Sequence, residues 1–352
     1  MEDRKTVLIR ADGNPDIATG HLMRCLSIAE ALREQGAQAE FAVADPVSAG
    51  LLASFWEEEK AFPVHVLHTD YRKPDAELPA LERLLENGPA GQAGGRFRCL
   101  LIDSYFVTPP YLEELRRLLP TAYLDDLMAF DCPADLVVNY DFLPPRDFYS
   151  KAGRTLLGGR YTPLRSQFCG LTPAFREQVG SLLISTGGTD ACNVAGRLAA
   201  FLLLAPQSAS WKIHALTGPM HAHRRELTAL AAKDPRLQLH ENVKDMASLM
   251  AGRDLAVSAA GTTLYELCAA GVPAVSFTLA DNQLSCARNM QRFAGVPCAG
   301  DARQEKDIIE TLVSLLFSLA KNREKRDALA RSMHAAVDGR GAQRIARALL
   351  AL

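Results

Sequence analysis

The feature that most constrains this chain is a change of apolar period within residues 6–36. Residues 6–9 are a short β-branched and apolar run that reads as a buried strand. Arg10-Ala11-Asp12-Gly13-Asn14-Pro15-Asp16, a cluster of turn formers, stops it. Beyond Thr19-Gly20, the residues Leu22, Leu26, Ala29 and Leu32 fall at helical spacing, and Gly36 stands where a helix C-cap glycine belongs. Strand, glycine-containing loop and helix follow one another, with His21 in the first helical turn. In an open α/β sheet that junction lies at the carboxyl end of a strand, where ligands bind. The positive end of the helix dipole disfavours a protonated imidazole, which suits a base or hydrogen-bond partner near neutral pH. The alternative for His21 is a polar residue that satisfies loop carbonyls.

The same alternation recurs. Strands are expected at 39–43, 63–67, 97–102, 122–124 and 136–138, with helices at 77–86 and 111–119. The run 97–102 ends in Asp103-Ser104-Tyr105, which puts polar side chains on the same sheet edge as His21. Residues 87–95, rich in glycine, read as a flexible loop. From 141 to 177 the pattern loosens, and Pro144, Pro145, Gly158, Gly159, Pro163 and Pro173 fit a linker. A second series then begins, with strands at Ser181–Ser185, 211–216, Leu237–His240, 255–258 and 274–277, and a helical tail from 307. A length of 352 residues suits two domains. The expected division is 1–160 and 161–352, with the last helix packing back toward the first domain. The fold class is α/β, two doubly wound, mostly parallel sheets.

Composition excludes several classes. Hydrophobic residues make up 48% and charged residues 23%, typical of a globular protein with an ample core. A formal net charge of -2 argues against a nucleic-acid partner or an anionic membrane surface. No apolar run approaches the roughly 20 residues of a membrane span. Met1-Glu2-Asp3-Arg4-Lys5 is charged and leads straight into a strand, so no signal peptide or membrane anchor is expected. The eight cysteines form neither a C-x-x-C pair nor a zinc spacing. Buried free thiols, a cytoplasmic location and no metal are the expectation.

Three motifs in the second half carry chemistry. Gly187-Gly188-Thr189-Asp190 follows an apolar strand and precedes a helix, so its amides can approach a phosphate. A plain turn with an aspartate cap explains it too. In Ser258-Ala259-Ala260-Gly261-Thr262-Thr263-Leu264-Tyr265-Glu266, hydroxyls and amides suit a diphosphate, and Glu266 suits ribose hydroxyls. The competing reading pairs Thr263 and Glu266 as a capping box. Asp281-Asn282-Gln283 opens a further helix, where ordinary capping is the alternative. Arg10, Arg24 and Arg165 are candidates for phosphate or structural pairing. Asp12 could orient His21 or Arg24, or simply form the turn. Asp125-Asp126 reads as a solvated or capping pair. The G-x-G-x-x-G fingerprint is absent, which disfavours a dehydrogenase.

Arg10-Ala11-Asp12 with Thr19-Gly20-His21-Leu22-Met23-Arg24-Cys25-Leu26 resembles the amino end of the UDP-sugar hydrolases of pseudaminic acid biosynthesis. Tyr161-Thr162-Pro163-Leu164-Arg165, Gly187-Gly188-Thr189-Asp190 and Asp338-Gly339-Arg340-Gly341 match the same pattern in the same order. That family is similar in fold to the peptidoglycan transferase that uses UDP-N-acetylglucosamine. The resemblance therefore implies a glycosyltransferase-B architecture, two Rossmann-like domains facing across a cleft. It implies hydrolysis of UDP-2,4-diacetamido-2,4,6-trideoxy-β-L-altropyranose with water as acceptor, no cofactor, and a sugar-condensing synthase as pathway neighbour. His21 would be the catalytic histidine, with Tyr105 and Asn282 in the active site. Glu266 would bind ribose and the segment around Val243 would meet uracil. Gly20, Gly187, Gly188, Thr189, Asp190, Gly261, Thr262, Thr263 and Gln283 complete the expected substrate contacts. The rivals are a UDP-sugar glycosyltransferase, which needs an acceptor surface beside His21, and a nucleotide-sugar-binding protein without catalysis.

Overall fold

The computed structural model describes residues 5–14, 16–17, 19–56, 58–91, 95–140, 145, 147–218 and 220–352. The charged amino end before Lys5, the middle of the 87–95 loop, Pro15 of the turn cluster and Pro144 of the linker lie outside the described residues. The chain divides into two compact units. One runs to Ser166 and takes back Arg340–Leu352; the other is Gln167–Gly339. The change of unit falls at 166/167, whereas the expected division was 160/161.

In the first unit, β1 (Thr6–Ala11), β2 (Gln38–Val43), β3 (Val64–Val66), β4 (Phe97–Asp103), β5 (Thr121–Leu124), β6 (Leu136–Asn139) and β7 (Arg154–Leu157) form one sheet. Its helices are α1 (Gly20–Glu34), α2 (Pro46–Ala53), α3 (Leu78–Asn87) and α4 (Pro109–Leu118). The order is β3-β2-β1-β4-β5-β6-β7, every pair parallel. Strand order reverses between β1 and β4, the switch point where the crevice of such a sheet opens. Register places Ala11 opposite Asp103, so both strands end at the same level.

The second unit repeats the design with β8 (Ser181–Ser185), α5 (Val194–Leu204), β9 (Lys212–Leu216), α6 (Arg224–Lys233), β10 (Leu237–His240) and α7 (Met246–Ala251). It continues with β11 (Leu255–Ala259), α8 (Thr262–Ala270), β12 (Ala274–Thr278), α9 (Leu284–Asn289), β13 (Cys298–Asp301), α10 (Ile308–Lys321) and α11 (Arg323–Ala336). The order is β10-β9-β8-β11-β12-β13, again parallel. Its switch point lies between β8 and β11.

Helix α12 (Gly341–Leu350) belongs to the first unit and packs on α1 and β4. Ile345, Ala346 and Leu349 join Val7, Ile9, Leu22 and Cys99 in one core cluster. The opposite sheet face is covered by α3 and α4, with Leu8, Leu100, Ile102, Tyr111 and Leu115 buried together. Two glycines set the return of the chain. A Cβ at Gly339, where φ is 73°, would collide with the Phe168 carbonyl, and one at Gly341 with that of Thr162. All eight cysteines are free thiols; Cys25, Cys99, Cys132 and Cys268 are buried, but Cys169 is exposed. Among the described residues no helix is long and apolar enough to cross a membrane.

Candidate active site

The first site grows from the ends of consecutive strands. Helix α1 begins at Gly20, directly after the loop from β1, and places His21 in its first turn above the end of β4. His21 Nδ1 lies 2.5 Å from Asp103 Oδ1, and the two residues are 3% and 1% exposed. The carboxylate accepts from Nδ1–H, which leaves the Nε2 lone pair to take a proton. One turn along α1, Arg24 meets the same carboxylate with both its Nε and Nη2, each at 2.5 Å from an oxygen. Its Nη1 donates to Asp126 Oδ2 at 2.7 Å and to the Tyr140 hydroxyl at 2.5 Å. The Tyr105 ring stands edge-on to the imidazole with centroids 4.3 Å apart, and Tyr105 is 44% exposed.

Electrostatics follow from this packing. Burial alone would push the Asp103 carboxyl up, but Arg24 and then His21 outweigh it and hold the group well below the usual carboxylate range. Burial pushes the Tyr140 hydroxyl up to about 12, against the opposing pull of Arg24. Burial also raises Tyr105, helped by Asp126 and Asp103. The arrangement is an imidazole oriented by an ionised carboxylate, with a cation bridging that carboxylate to a second one. It can take a proton from a hydroxyl brought to Nε2.

Arg10 and Asp12 do not reach this group. Arg10 Nε and Nη2 donate to Glu77 at 2.9 and 2.6 Å, and Nη1 donates to Asp12 Oδ2 at 2.5 Å. Asp12 Oδ1 accepts from the Ala44 amide at 2.7 Å, and the Tyr111 hydroxyl donates to Glu77. Arg10 and Asp12 are each 3% exposed, so the network ties the end of β1 to its neighbours and presents nothing to a ligand. Of the two roles open to Asp12, the structural one is seen, and the carboxylate on His21 and Arg24 is Asp103. Arg165 is half-buried, and its charge acts on Glu30 of α1. Asp125 and Asp126 also part company. Asp125 accepts from the Leu127 and Met128 amides, both at 3.0 Å, as a turn residue, whereas Asp126 enters the site through Arg24.

The second group lies on loops at the carboxyl ends of β8, β10, β11 and β12. Gly187, Gly188 and Thr189 are exposed, and Gly187 adopts a φ of 78°. Asp190 is fully buried and accepts from the Val194 and Ala195 amides, both at 2.9 Å, so it folds the loop onto α5 instead of facing a ligand. His221, also buried, stands 3.5 Å from Asp190 Oδ2. The competing reading of Thr263 and Glu266 as a capping box needs Thr263 at the N-cap, and it is not there. Gly261 is the N-cap of α8, without a side-chain cap bond, and Thr262 and Thr263 lie inside the helix. Glu266 is 8% exposed on that helix. Asp281-Asn282-Gln283 forms a 3₁₀ turn before α9, where Asn282 is exposed and Gln283 Oε1 accepts from the Leu279 amide at 2.8 Å. Val243 is half-buried in the loop after β10. Among the described residues no group of three or more His, Cys, Asp or Glu could hold a metal ion.

Sequence reasoning missed Asp126, Tyr140 and the orienting role of Asp103. Each sits at or just beyond the end of β4, β5 or β6, so the carboxyl-edge rule that drew attention to His21 applies to them as well.

Comparisons place this architecture. Residues 182–348 match the model described as the glycosyltransferase family 28 C-terminal domain. The uncharacterized protein MJ1062 of Methanocaldococcus jannaschii is 26% identical over 207 residues, which is 53% of this chain and 41% of that protein. The spore coat polysaccharide biosynthesis protein SpsG of Bacillus subtilis is 24% identical over 170 residues, 48% of this chain and 50% of that one. The chain thus spans half or less of the curated relatives it matches. The crystal structure of MurG from Acinetobacter baumannii superposes with a TM-score of 0.69 at 17% identity, covering 99% of this chain and 100% of that one. The fold is glycosyltransferase-B, two parallel-sheet α/β units, the second of which carries the match to the family 28 C-terminal domain.

Proposed function

We propose that this protein is an enzyme that moves the glycosyl group of a nucleotide sugar to a hydroxyl, with His21 as the base. The His21–Asp103 pair at the switch point of the first sheet, in a chain with a family 28 domain, is the observation that carries the reading. The second unit holds the nucleoside diphosphate, through the amides of Gly187, Gly188 and Thr189 and the start of α8 at Thr262. Glu266 meets ribose, Val243 the base, and Asn282 the sugar.

In the reaction the acceptor oxygen forms a bond to the anomeric carbon as the bond from that carbon to the diphosphate oxygen breaks. The acceptor proton passes to His21 Nε2, the nucleoside diphosphate leaves with the electron pair, and the configuration inverts. Amides at the helix starts stabilise charge on the leaving group. The family 28 match and the exposed Tyr105 ring against His21 favour an acceptor alcohol, hence a transferase. The hydrolase motifs favour water, with the UDP-linked diacetamido altrose derivative as donor. Purified protein incubated with UDP-N-acetylglucosamine and with the altrose derivative, with and without sugar alcohol acceptors, separates the two. UDP and free sugar without acceptor mean hydrolysis; UDP only with acceptor, and a new glycoside, mean transfer. His21→Asn abolishes either. Turnover that survives in His21→Asn, or release of UMP, overturns the mechanism.

A further inference from the structure

Of the two roles open to Arg24, phosphate contact or structural pairing, its guanidinium takes the second within the protein. Nε and Nη2 grip Asp103, and Nη1 is shared by Asp126 and the Tyr140 hydroxyl. Nη2 also stands 3.1 Å from His21 Nδ1, and the side chain is 12% exposed. A phosphate would have to displace carboxylates that already satisfy these donors in bidentate geometry. We propose that Arg24 is a positioning residue for His21: it clamps Asp103 against Nδ1–H and offsets the carboxylate charge beside the imidazole. The inference rests on the reading of His21 as the base.

The groups that face His21 make the sign of the effect definite. From β4 and the loop beyond it come Asp103 and Tyr105; from α1 come Arg24 and Cys25, whose thiol lies 3.5 Å from Asp103 Oδ2. Asp126 and Tyr140 stand behind Arg24 at the ends of β5 and β6. Arg24 is the one cation in this set, set against Asp103 and Asp126. Removing it leaves the Asp103 charge at Nδ1 without its nearest countercharge, and proton binding by the imidazole becomes easier.

The test uses the full chain as wild type, Arg24→Met, Arg24→Lys and His21→Asn. The His21 Cε1–H resonance, identified by its loss in His21→Asn, is followed by NMR against pH. In Arg24→Met its titration midpoint moves to higher pH. The acid limb of kcat moves the same way, and kcat at neutral pH falls by about 10- to 100-fold, the scale of groups that orient a reacting residue. KM, and the affinity for UDP by calorimetry, stay within about twofold. Arg24→Lys keeps the charge but loses the fork, so the midpoint holds while kcat still falls. An unmoved midpoint in Arg24→Met overturns the proposal. So does a tenfold or greater loss of UDP affinity with kcat preserved, which would make Arg24 a phosphate ligand. Should circular dichroism show Arg24→Met unfolded, Arg24→Lys decides alone, because wild-type kcat in that variant refutes the clamp. Lack of turnover by the wild type on every nucleotide sugar would sink the function instead, and the NMR titration would still judge Arg24.

Discussion

Asp103 carries more of the site than its place at the end of a strand suggests. It orients His21, anchors Arg24 and stays ionised in a buried position because those two partners outweigh desolvation. Asp103→Asn keeps the shape but replaces an acceptor with an amide that can present N–H to Nδ1 and select the wrong tautomer. The expected result is a fall in kcat of about 10²- to 10⁴-fold with UDP affinity unchanged, read by steady-state kinetics and calorimetry. A raised KM at wild-type kcat would refute it. The same charge has a pH signature. Its folded pKa lies below the unfolded value of about 3.9, so its contribution to stability is full above about pH 4 and is lost as pH falls further. The stability gap between wild type and Asp103→Asn therefore narrows on acidification in urea melts. A gap that widens toward low pH would contradict the assignment.

At the scale of elements, the long apolar runs were legible because a strand buried on both faces has nothing but apolar residues to show. Strands β1, β8, β11 and β12, buried at every residue, begin where the runs place them. Short elements were not. β7 has four residues between Gly153 and Gly158, and it exists because β6 offers a parallel edge. Helix α2 did leave a signal: Asp45 accepts from the Ser48 amide and Pro46 occupies the first turn, an N-terminal signature in a stretch left without an element. The Thr263–Glu266 spacing mimics a capping box although α8 starts just before the pair and Gly261 takes the cap. In the site, His21 and Tyr105 were legible from motif and edge position. Asp126 and Tyr140 were not, because their meeting with Arg24 depends on β5 and β6 lying next to β4, a fact of tertiary order. Helix α12 yields the prediction at this scale. Leu349 is fully buried in the first unit's core, and its carbonyl lies 3.5 Å from the Cys99 thiol. Leu349→Ala should cost about 2–5 kcal/mol by denaturant unfolding. A change under about 0.5 kcal/mol would show that the carboxyl-terminal helix is not part of that core.

At the scale of the whole molecule, the two units carry different candidate groups. The ionised dyad and its cation belong to the first unit, while the glycine-bearing loop after β8 and the Gly261-capped helix belong to the second. A nucleoside diphosphate bound by the second unit stabilises that unit's native state by mass action, about 2.7 kcal/mol at a ligand concentration 100 times Kd. Amide hydrogen exchange reads the units separately, since protection reports local and sub-global opening. Saturating UDP should slow exchange in β8, β11, the first turn of α8 and the loop at Gly187 and Gly188, by up to about 100-fold where global opening of that unit governs. Amides of β1, β4 and α1 should change far less, because UDP alone carries no group for His21 to act on. His21→Asn should leave the pattern intact while abolishing turnover, which separates holding the donor from using it. Protection confined to the first unit would reverse the assignment of roles, and UDP without effect on either unit would remove the nucleotide sugar from the proposal.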